Sequence, residues 1–222
     1  MRELVKVTGM VTSSKPVGEY DKRLVLLTRE RGKIAAFARG ARKQNSVLMA
    51  GSRPFSFGQF ILYEGRDSYT VQSMEISNYF EELSSDMEGA CYGFYFMELA
   101  EYYTRENLDE SQMLKLLYQS LRALLKPSLP NPLIQLIFEM KAMVINGEYS
   151  ETPPIRVCEA TEYTLKVIIA SPIENLYTFT VSVQVLDELK RCIKIFKAKY
   201  LDKTFHSLDI LESMISIDKF PC

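Results

Sequence analysis

Positive charge is concentrated in one short stretch of this chain, where it could hold a polyanion. Residues 15–43 contain nine lysines and arginines against three carboxylates. Nucleic acids are bound first through their phosphate charge, and the forked guanidinium of arginine matches phosphate oxygens. Within this stretch the turn 39–43 combines three cations with a glycine that lets a backbone come close. The pattern predicts a nucleic-acid-binding surface of eight side chains, here in order of preference: Arg39, Arg42, Lys43, Lys33, Arg31, Arg23, Lys22 and Arg29. A solvated basic turn is the alternative interpretation.

Aromatic side chains lie among these cations and could stack on nucleic-acid bases. The candidates are Tyr20, Phe37, Tyr63 and Tyr69, and a base stacked on an aromatic ring is worth about 1–3 kcal/mol. For Phe37 the alternation of its strand favours a place in the core. For each of these residues, core packing is the alternative to stacking.

Residues for covalent chemistry are scarce in this sequence. His206 is the only histidine, and its neighbours Phe205 and Leu208 suggest a structural place on an amphipathic helix. Neither a Gly-x-x-x-x-Gly-Lys-Ser/Thr phosphate loop nor a Gly-x-Ser-x-Gly elbow is present. The acidic cluster between Glu81 and Glu88 flanks a predicted helix start, where negative charge suits the helix dipole. We therefore expect a protein that is not an enzyme and needs no cofactor.

Charge divides the chain into two parts. Residues 1–80 hold thirteen cations against seven carboxylates, a net charge of +6, whereas residues 81–222 hold fourteen against twenty-one, a net charge of −7. Opposite signs of this kind suggest that a polyanion-binding part is joined to a part with another role. The sequence pattern changes at the same place, after Phe80.

Short alternating segments before residue 80 predict the strands that would position the basic turn and the aromatic residues. The predicted strands cover 3–13, 21–29, 33–38, 55–64 and 69–77. The irregular stretch between the third and fourth strands has room for a short helix around 46–50. Five short strands with a connecting segment at this point are the inventory of an OB-fold β-barrel.

Helical periodicity dominates after residue 80. Apolar residues spaced by three and four predict five helices, over 87–104, 109–126, 131–146, 182–197 and 199–215. Between the third and fourth of them, residues 163–169 could form a short strand. The predicted fold class is therefore α+β, with an N-terminal five-stranded OB-fold barrel in residues 1–80 and a mostly α-helical C-terminal domain in residues 81–222. No stretch approaches the ~18 consecutive apolar residues of a membrane helix.

The cysteines are spread along the chain, at Cys91, Cys158, Cys192 and Cys222, and form no Cys-x-x-Cys pair. This spacing argues against a disulfide framework or a zinc ribbon. Reduced thiols and a cytoplasmic location are the expectation that fits it.

Several short motifs follow one another within residues 5–80. They are Gly18-Glu19-Tyr20-Asp21-Lys22, Leu27-Thr28, Gly32-Lys33 and Gly40-Ala41-Arg42-Lys43, followed by Pro54-Phe55 and Tyr63-Glu64-Gly65-Arg66. In their order and near their spacing, these motifs resemble the RecO family of bacterial DNA repair proteins. After residue 80 the similarity is looser and rests on Phe138-Glu139-Met140-Lys141, Asn146-Gly147 and residues 200–211.

The resemblance implies a recombination mediator that binds single- and double-stranded DNA, anneals complementary strands and is associated with the nucleoid. It implies that RecR is a partner, and that the two help to load recombinase on strands coated by single-stranded-DNA-binding protein. It further implies that the helical domain receives the acidic C-terminal tail of that coating protein. Arg122 and Lys126 on one helix, or Lys141 on the next, are the candidates for this tail site.

One departure from the family concerns zinc. Many members carry a four-cysteine zinc site after the third helix, whereas here Cys158 stands alone and Thr161 occupies the position that a Cys-x-x-Cys pair would need. A structural zinc requires four ligands. We therefore expect no metal and interpret residues 150–181 as a degenerate zinc-finger-like segment that is held by its own packing.

Two other functions are compatible with the same residues. A different OB-fold module would bind structured RNA or tRNA. A scaffold protein would present its basic face to an acidic protein partner. Neither would have DNA annealing activity.

Overall fold

The computed structural model describes residues 3–66 and 68–218. The chain begins with five strands: β1 (Leu4–Val17), β2 (Asp21–Thr28), β3 (Gly32–Ala38), β4 (Phe57–Glu64) and β5 (Tyr69–Asn78). Helices follow: α1 (Glu81–Ser85), α2 (Met87–Tyr103), α3 (Ser111–Leu124), α4 (Asn131–Ile145), α5 (Glu159–Ala170), α6 (Val183–Tyr200) and α7 (His206–Asp218). The α+β class predicted from the sequence is confirmed. Among the described helices, none is both long and apolar enough to cross a membrane.

The strands close into a barrel in the order β1-β2-β3-β5-β4, with β4 pairing back onto β1. All neighbours are antiparallel except β3 and β5, which run parallel. This is the order expected of an OB-fold. The alternation along each strand decides which of its faces is buried in the barrel. In β3 the inward residues are Ile34, Ala36 and Ala38, and they join a core that includes Leu24, Leu26, Phe60 and Leu62.

Two glycines allow the backbones of neighbouring strands to come close where β1 pairs with β2 and β4. Gly9 pairs with Thr28 of β2 and with Gly58 of β4. A Cβ atom on Gly9 would lie 2.6 Å from the carbonyl oxygen of Leu27, and one on Gly58 would lie 2.1 Å from that of Glu75. Glycine is therefore required where the barrel closes.

The connection between β3 and β4 consists of turns, so the short helix expected around 46–50 is wrong. Its backbone bonds mostly span three residues, as from the N–H of Met49 to the carbonyl of Ser46. A segment this short does not repay the cost of nucleating a helix, and Gly51 and Pro54 follow at once. Leu48 still reaches the barrel core and anchors the connection there.

The described residues pack as two compact units. The first takes in Met1–Glu82 with Met97–Leu114, and the second takes in Leu83–Phe96 with Lys115–Cys222. The proposed domains, residues 1–80 and 81–222, stay a prediction.

The second unit is built on α4, whose side chains from Leu133 to Met143 are mostly buried. Phe138 of α4 stacks on Phe96, with ring centroids 4.4 Å apart. The helices predicted over 131–146 and 182–197 are observed with slightly different ends, whereas α7 begins only at His206.

The strand expected over 163–169 is wrong, because these residues lie inside α5. Thr161, Leu165 and Ile168 are buried at helical spacing, while Tyr163 is exposed. The β-branched residues of this segment imitate a strand, but packing of one helical face decides the outcome.

Candidate nucleic-acid interface

A groove of about 780 Å³ lies on the outside of the barrel. Its walls are the turn between β1 and β2, the end of β3 and the turn between β4 and β5. In OB-folds these two turns and the face between them hold oligonucleotides. The side chains that matter for binding are three cations and three aromatic rings: Arg39, Lys43, Arg66, Tyr20, Phe37 and Tyr63.

The strand register brings the aromatic residues together. One row of paired residues crosses all five strands, from Lys15 to Arg23, Phe37, Thr70 and Tyr63. None of the five is buried, so the row lies on the outer surface. Phe37 and Tyr63 are two strands apart, which is about 10 Å at ordinary strand spacing. The row thus joins cations at one end to rings at the other.

The basic turn 39–43 is fixed against the turn between β1 and β2. Gly40, with a φ of 68°, donates its N–H to Asp21 Oδ1 at 2.7 Å. The N–H of Arg42 donates to the carbonyl of Tyr20 at 2.9 Å, and its Nη1 donates to the carbonyl of Gly18 at 3.2 Å. Lys43 Nζ lies 5.3 Å from the centre of the Tyr20 ring. The turn is therefore held in place while the side chains of Arg39 and Lys43 stay exposed.

Positive charge extends beyond the groove. Lys22 is half-buried, and its Nζ donates to the carbonyl of Ser52 at 3.4 Å. Burial lowers the pKa of Lys22, and the nearby guanidinium groups of Arg53 and Arg42 lower it further. Arg53 and Arg66 were not among the predicted binding residues. Arg53 and Arg66 each follow a glycine within a turn, as Arg42 follows Gly40. This spacing of glycine and arginine in the sequence could have identified them.

The eight predicted cations do not form one surface. Arg29, Arg31 and Lys33 lie at the opposite end of the β2–β3 hairpin from the turn 39–43, because Thr28 pairs with Gly32 and Lys22 pairs with Ala38. The two pairs are six residue steps apart along the strand, which is about 20 Å. Of the eight predicted side chains only Arg39 and Lys43 line the groove; Arg42, Lys22 and Arg23 lie beside it.

The three distant cations have protein contacts of their own. Arg31 forms an ion pair with Glu64 at 3.4 Å, and Lys33 Nζ donates to the carbonyl of Glu101 at 2.5 Å. Arg29 borders a smaller depression with Asp109 and Asn107.

The aromatic predictions need two corrections, at Tyr69 and at Phe37. Tyr20 is 45% exposed and Tyr63 lines the groove, but Tyr69 is 4% exposed and belongs to the barrel core. Tyr69 therefore has no face to offer a base. Phe37, expected in the core, lies in the groove instead. The position of Lys33 could have indicated this, because a lysine marks the outer face of a strand and Phe37, four residues later, lies on the same face.

The candidate tail residues lie in the second unit and differ in exposure. Arg122 is exposed in the last turn of α3, and the exposed Lys126 donates to the carbonyl of Tyr177 at 3.4 Å. Lys141 is buried, and its Nζ donates to the carbonyls of Ile168, Ile169 and Ser171. These three bonds use every donor of the ammonium group. Lys141 thus holds the end of α5 and has no donor left for a tail.

The segment with the lone Cys158 is held by a carboxylate of α6. Glu188 accepts hydrogen bonds from the N–H of Cys158 at 2.9 Å, the hydroxyl of Thr161 at 2.7 Å and the amide of Gln184 at 3.2 Å. These bonds lower the pKa of Glu188 to about 2, with that from Thr161 contributing most. In the described part of the chain, no three His, Cys, Asp or Glu side chains are grouped as metal ligands.

Comparison with known proteins places both parts of the chain in one family. Residues 1–80 match the family described as Recombination protein O N terminal, and residues 84–152 match Recombination protein O C terminal. The chain is 26% identical to the DNA repair protein RecO of Acetivibrio thermocellus, over 98% of this chain and 99% of that protein. It is 32% identical to DNA repair protein RecO of Bacillus subtilis, over 72% of this chain and 63% of that protein.

Proposed function

Because this chain belongs to the RecO family of DNA repair proteins, we propose that its barrel groove binds DNA and that the protein anneals complementary strands. The observation that supports this most is the composition of the groove. Arg39, Lys43 and Arg66 line it together with Asp21, the one carboxylate among the described residues of the groove, whose Oδ1 already accepts the N–H of Gly40. Tyr20, Phe37 and Tyr63 lie in the same groove and supply rings for bases.

Annealing of this kind requires no covalent step. Two strands must be held while their phosphate charge is neutralised, and the bases must stay accessible to each other. We therefore propose that the protein is not an enzyme. We expect little sequence preference, because phosphate contacts and stacking carry no base code.

The wider role that we propose is recombination mediation. The protein would act with RecR to load recombinase on single strands coated by single-stranded-DNA-binding protein. Arg122 and Lys126 remain the proposed contacts for the acidic tail of the coating protein, since both are exposed and the partly exposed Leu125 lies between them. Lys141 is not proposed for this role.

The test is the fluorescence anisotropy of a labelled single strand, titrated with protein at several salt concentrations. Each phosphate contact on a single strand contributes about −0.7 to the slope of log K against log salt. Arg39→Gln/Arg42→Gln/Lys43→Gln should therefore make the slope shallower by about 2 and weaken binding. Arg29→Gln/Arg31→Gln/Lys33→Gln removes the same charge from the other end of the hairpin and should keep a slope near that of the wild type.

Three outcomes would contradict this proposal. Equal losses in both variants would show that net charge, not the groove, drives binding. Tighter binding of folded RNA than of single-stranded DNA at equal salt would favour the RNA-binding OB-fold module. A protein that binds neither nucleic acid would be a scaffold.

A further inference from the structure

The outward side of α6 carries a second cluster of positive charge, although its unit lies in the acidic part of the chain. Residues 190–203 contain six of the fourteen cations found after residue 80, against one carboxylate, Asp202. Val185, Leu189, Ile193 and Phe196 bury the opposite side of the helix. That packing fixes the rotation of α6, so Lys190, Arg191 and Lys194 are exposed together. We call these three residues the α6 basic face.

Ordinary structural roles explain the other cations of this helix. Lys197 forms an ion pair with the buried Glu139 at 2.6 Å and donates to the hydroxyl of Tyr95 at 2.9 Å. Lys199 lies in the last turn, where positive charge suits the helix dipole, and its Nζ is 4.8 Å from the ring of Tyr200.

The α6 basic face has no such explanation. Its residues lie in the middle of the helix, away from the dipole's negative end. Among the side chains that the structure describes in residues 3–66 and 68–213, none of the three forms an ion pair, and Asp187, one turn earlier on α6, forms none either. Lys190 and Lys194 are one turn apart, and like charges at that spacing destabilise a helix. Three exposed cations without an ion pair form a surface that an anionic partner would fit.

We propose that the α6 basic face binds the phosphate backbone of a nucleic-acid strand, as a second site apart from the barrel groove. This inference rests on the proposed annealing function, which needs two strands held by the protein. The three side chains follow the helix for one turn, about 6 Å, and lysines there act as point charges without base specificity. Neutralising a backbone would also relieve the repulsion between Lys190 and Lys194.

The experiment compares two variants of the second unit in the full chain. The first is Lys190→Gln/Arg191→Gln/Lys194→Gln, and glutamine keeps a helix propensity close to that of lysine and arginine. The control, Lys115→Gln/Arg156→Gln/Lys166→Gln, removes the same charge from exposed positions elsewhere in the unit. Circular dichroism melts confirm that both variants fold. The readouts are the number of labelled strands bound per chain and the rate at which complementary strands anneal.

The α6 variant should bind one single strand with nearly wild-type affinity, lose the second, and anneal roughly tenfold more slowly than the control. Single-stranded and duplex probes of equal length show which form occupies the site. An α6 variant that matches the control in both readouts would overturn the inference. So would an α6 variant that loses binding only to a glutamate-rich peptide, because the face would then serve a protein partner.

The groove variant keeps this test separate from the proposed function. If Arg39→Gln/Arg42→Gln/Lys43→Gln binds DNA like the wild type while the α6 variant loses a strand, the groove assignment fails and the second site stands. If only the groove variant loses binding, the groove assignment stands and the second site is overturned.

Discussion

Asp21 is a carboxylate of the groove, and its position makes two physical effects separable. Its charge repels phosphate, but its Oδ1 accepts the N–H of Gly40 at 2.7 Å and so orders the basic turn. The two effects have opposite signs for DNA binding. Substitutions of Asp21 can therefore show whether the order of the turn 39–43 contributes to DNA binding.

Asp21→Ala removes both the charge and the acceptor, and we expect DNA binding to weaken. A hydrogen bond of this kind contributes about 1 kcal/mol net, which corresponds to roughly fivefold in affinity. Asp21→Asn keeps an acceptor and removes the charge, so it should bind DNA at least as tightly as the wild type. Both are measured by strand titration at fixed salt. Tighter binding by Asp21→Ala would mean that charge alone governs this position.

At the residue scale, the sequence predicted which types of side chain line the groove. It predicted less well which residues lie on the outer face of each strand. Arg39, Lys43, Tyr20 and Tyr63 all line the groove. Tyr69 was predicted to be exposed and is buried, whereas Phe37 was favoured for the core and lies in the groove. Both strands are apolar enough that either face could have been assigned to the core. The barrel interior near β3 is filled by Ile34, Ala36 and Ala38, and these residues leave Phe37 outside. Only the assignment of Lys33 to the outer face of β3 could have shown that Phe37 also lies outside.

At the element scale, Glu188 connects α6 to the start of α5 in the place where a zinc site was considered. The bonds from Thr161 and Cys158 favour the carboxylate form, which is why the pKa of Glu188 falls from 4.5 to about 2. A folded-state pKa below the unfolded value adds stability above the unfolded value. That stability is lost as the pH falls through the folded value. The relevant window is therefore pH 4.5 down to about 2.

Glu188→Gln should lower the free energy of unfolding by an amount that is constant above about pH 5 and shrinks as the pH falls toward 2. Urea unfolding at a series of pH values measures this difference. Asp187→Asn is the control, because the neighbouring carboxylate is exposed and unpaired among the described residues, so its removal should have little effect at any pH. A Glu188→Gln deficit that is the same at pH 5 and pH 2.5 would refute the link to ionisation.

Elements with strong periodicity were predictable, and short or ambiguous ones were not. The five strands and α2, α3, α4 and α6 follow directly from apolar spacing. The segment 163–169 failed because Val167, Ile168 and Ile169 favour a strand locally, while burial of Thr161, Leu165 and Ile168 favours a helix. The connection after β3 failed because its turns depend on Asn45 and Phe55, both at positive φ, which residue type alone does not announce.

At the scale of the whole molecule, the net charge of −1 conceals two basic surfaces. The barrel surface was predictable because its cations are close in sequence. The α6 basic face was hidden by the −7 total of the residues after 80, and it emerges only when the buried side of α6 fixes which residues are exposed. In the proposed mechanism, each unit contributes one contact to nucleic acid, and annealing depends on both.

The central claim is that a DNA strand lies in the barrel groove. Ultraviolet crosslinking of an iodouracil-substituted single strand to the wild-type protein, followed by peptide mass spectrometry, tests this directly, because such crosslinks form with aromatic rings in contact with the base. We expect crosslinks at Tyr20, Phe37 or Tyr63, and a sharp decrease of these in Arg39→Gln/Arg42→Gln/Lys43→Gln. Crosslinks confined to rings outside the groove, such as the exposed Tyr163 of α5, would contradict this placement of the strand.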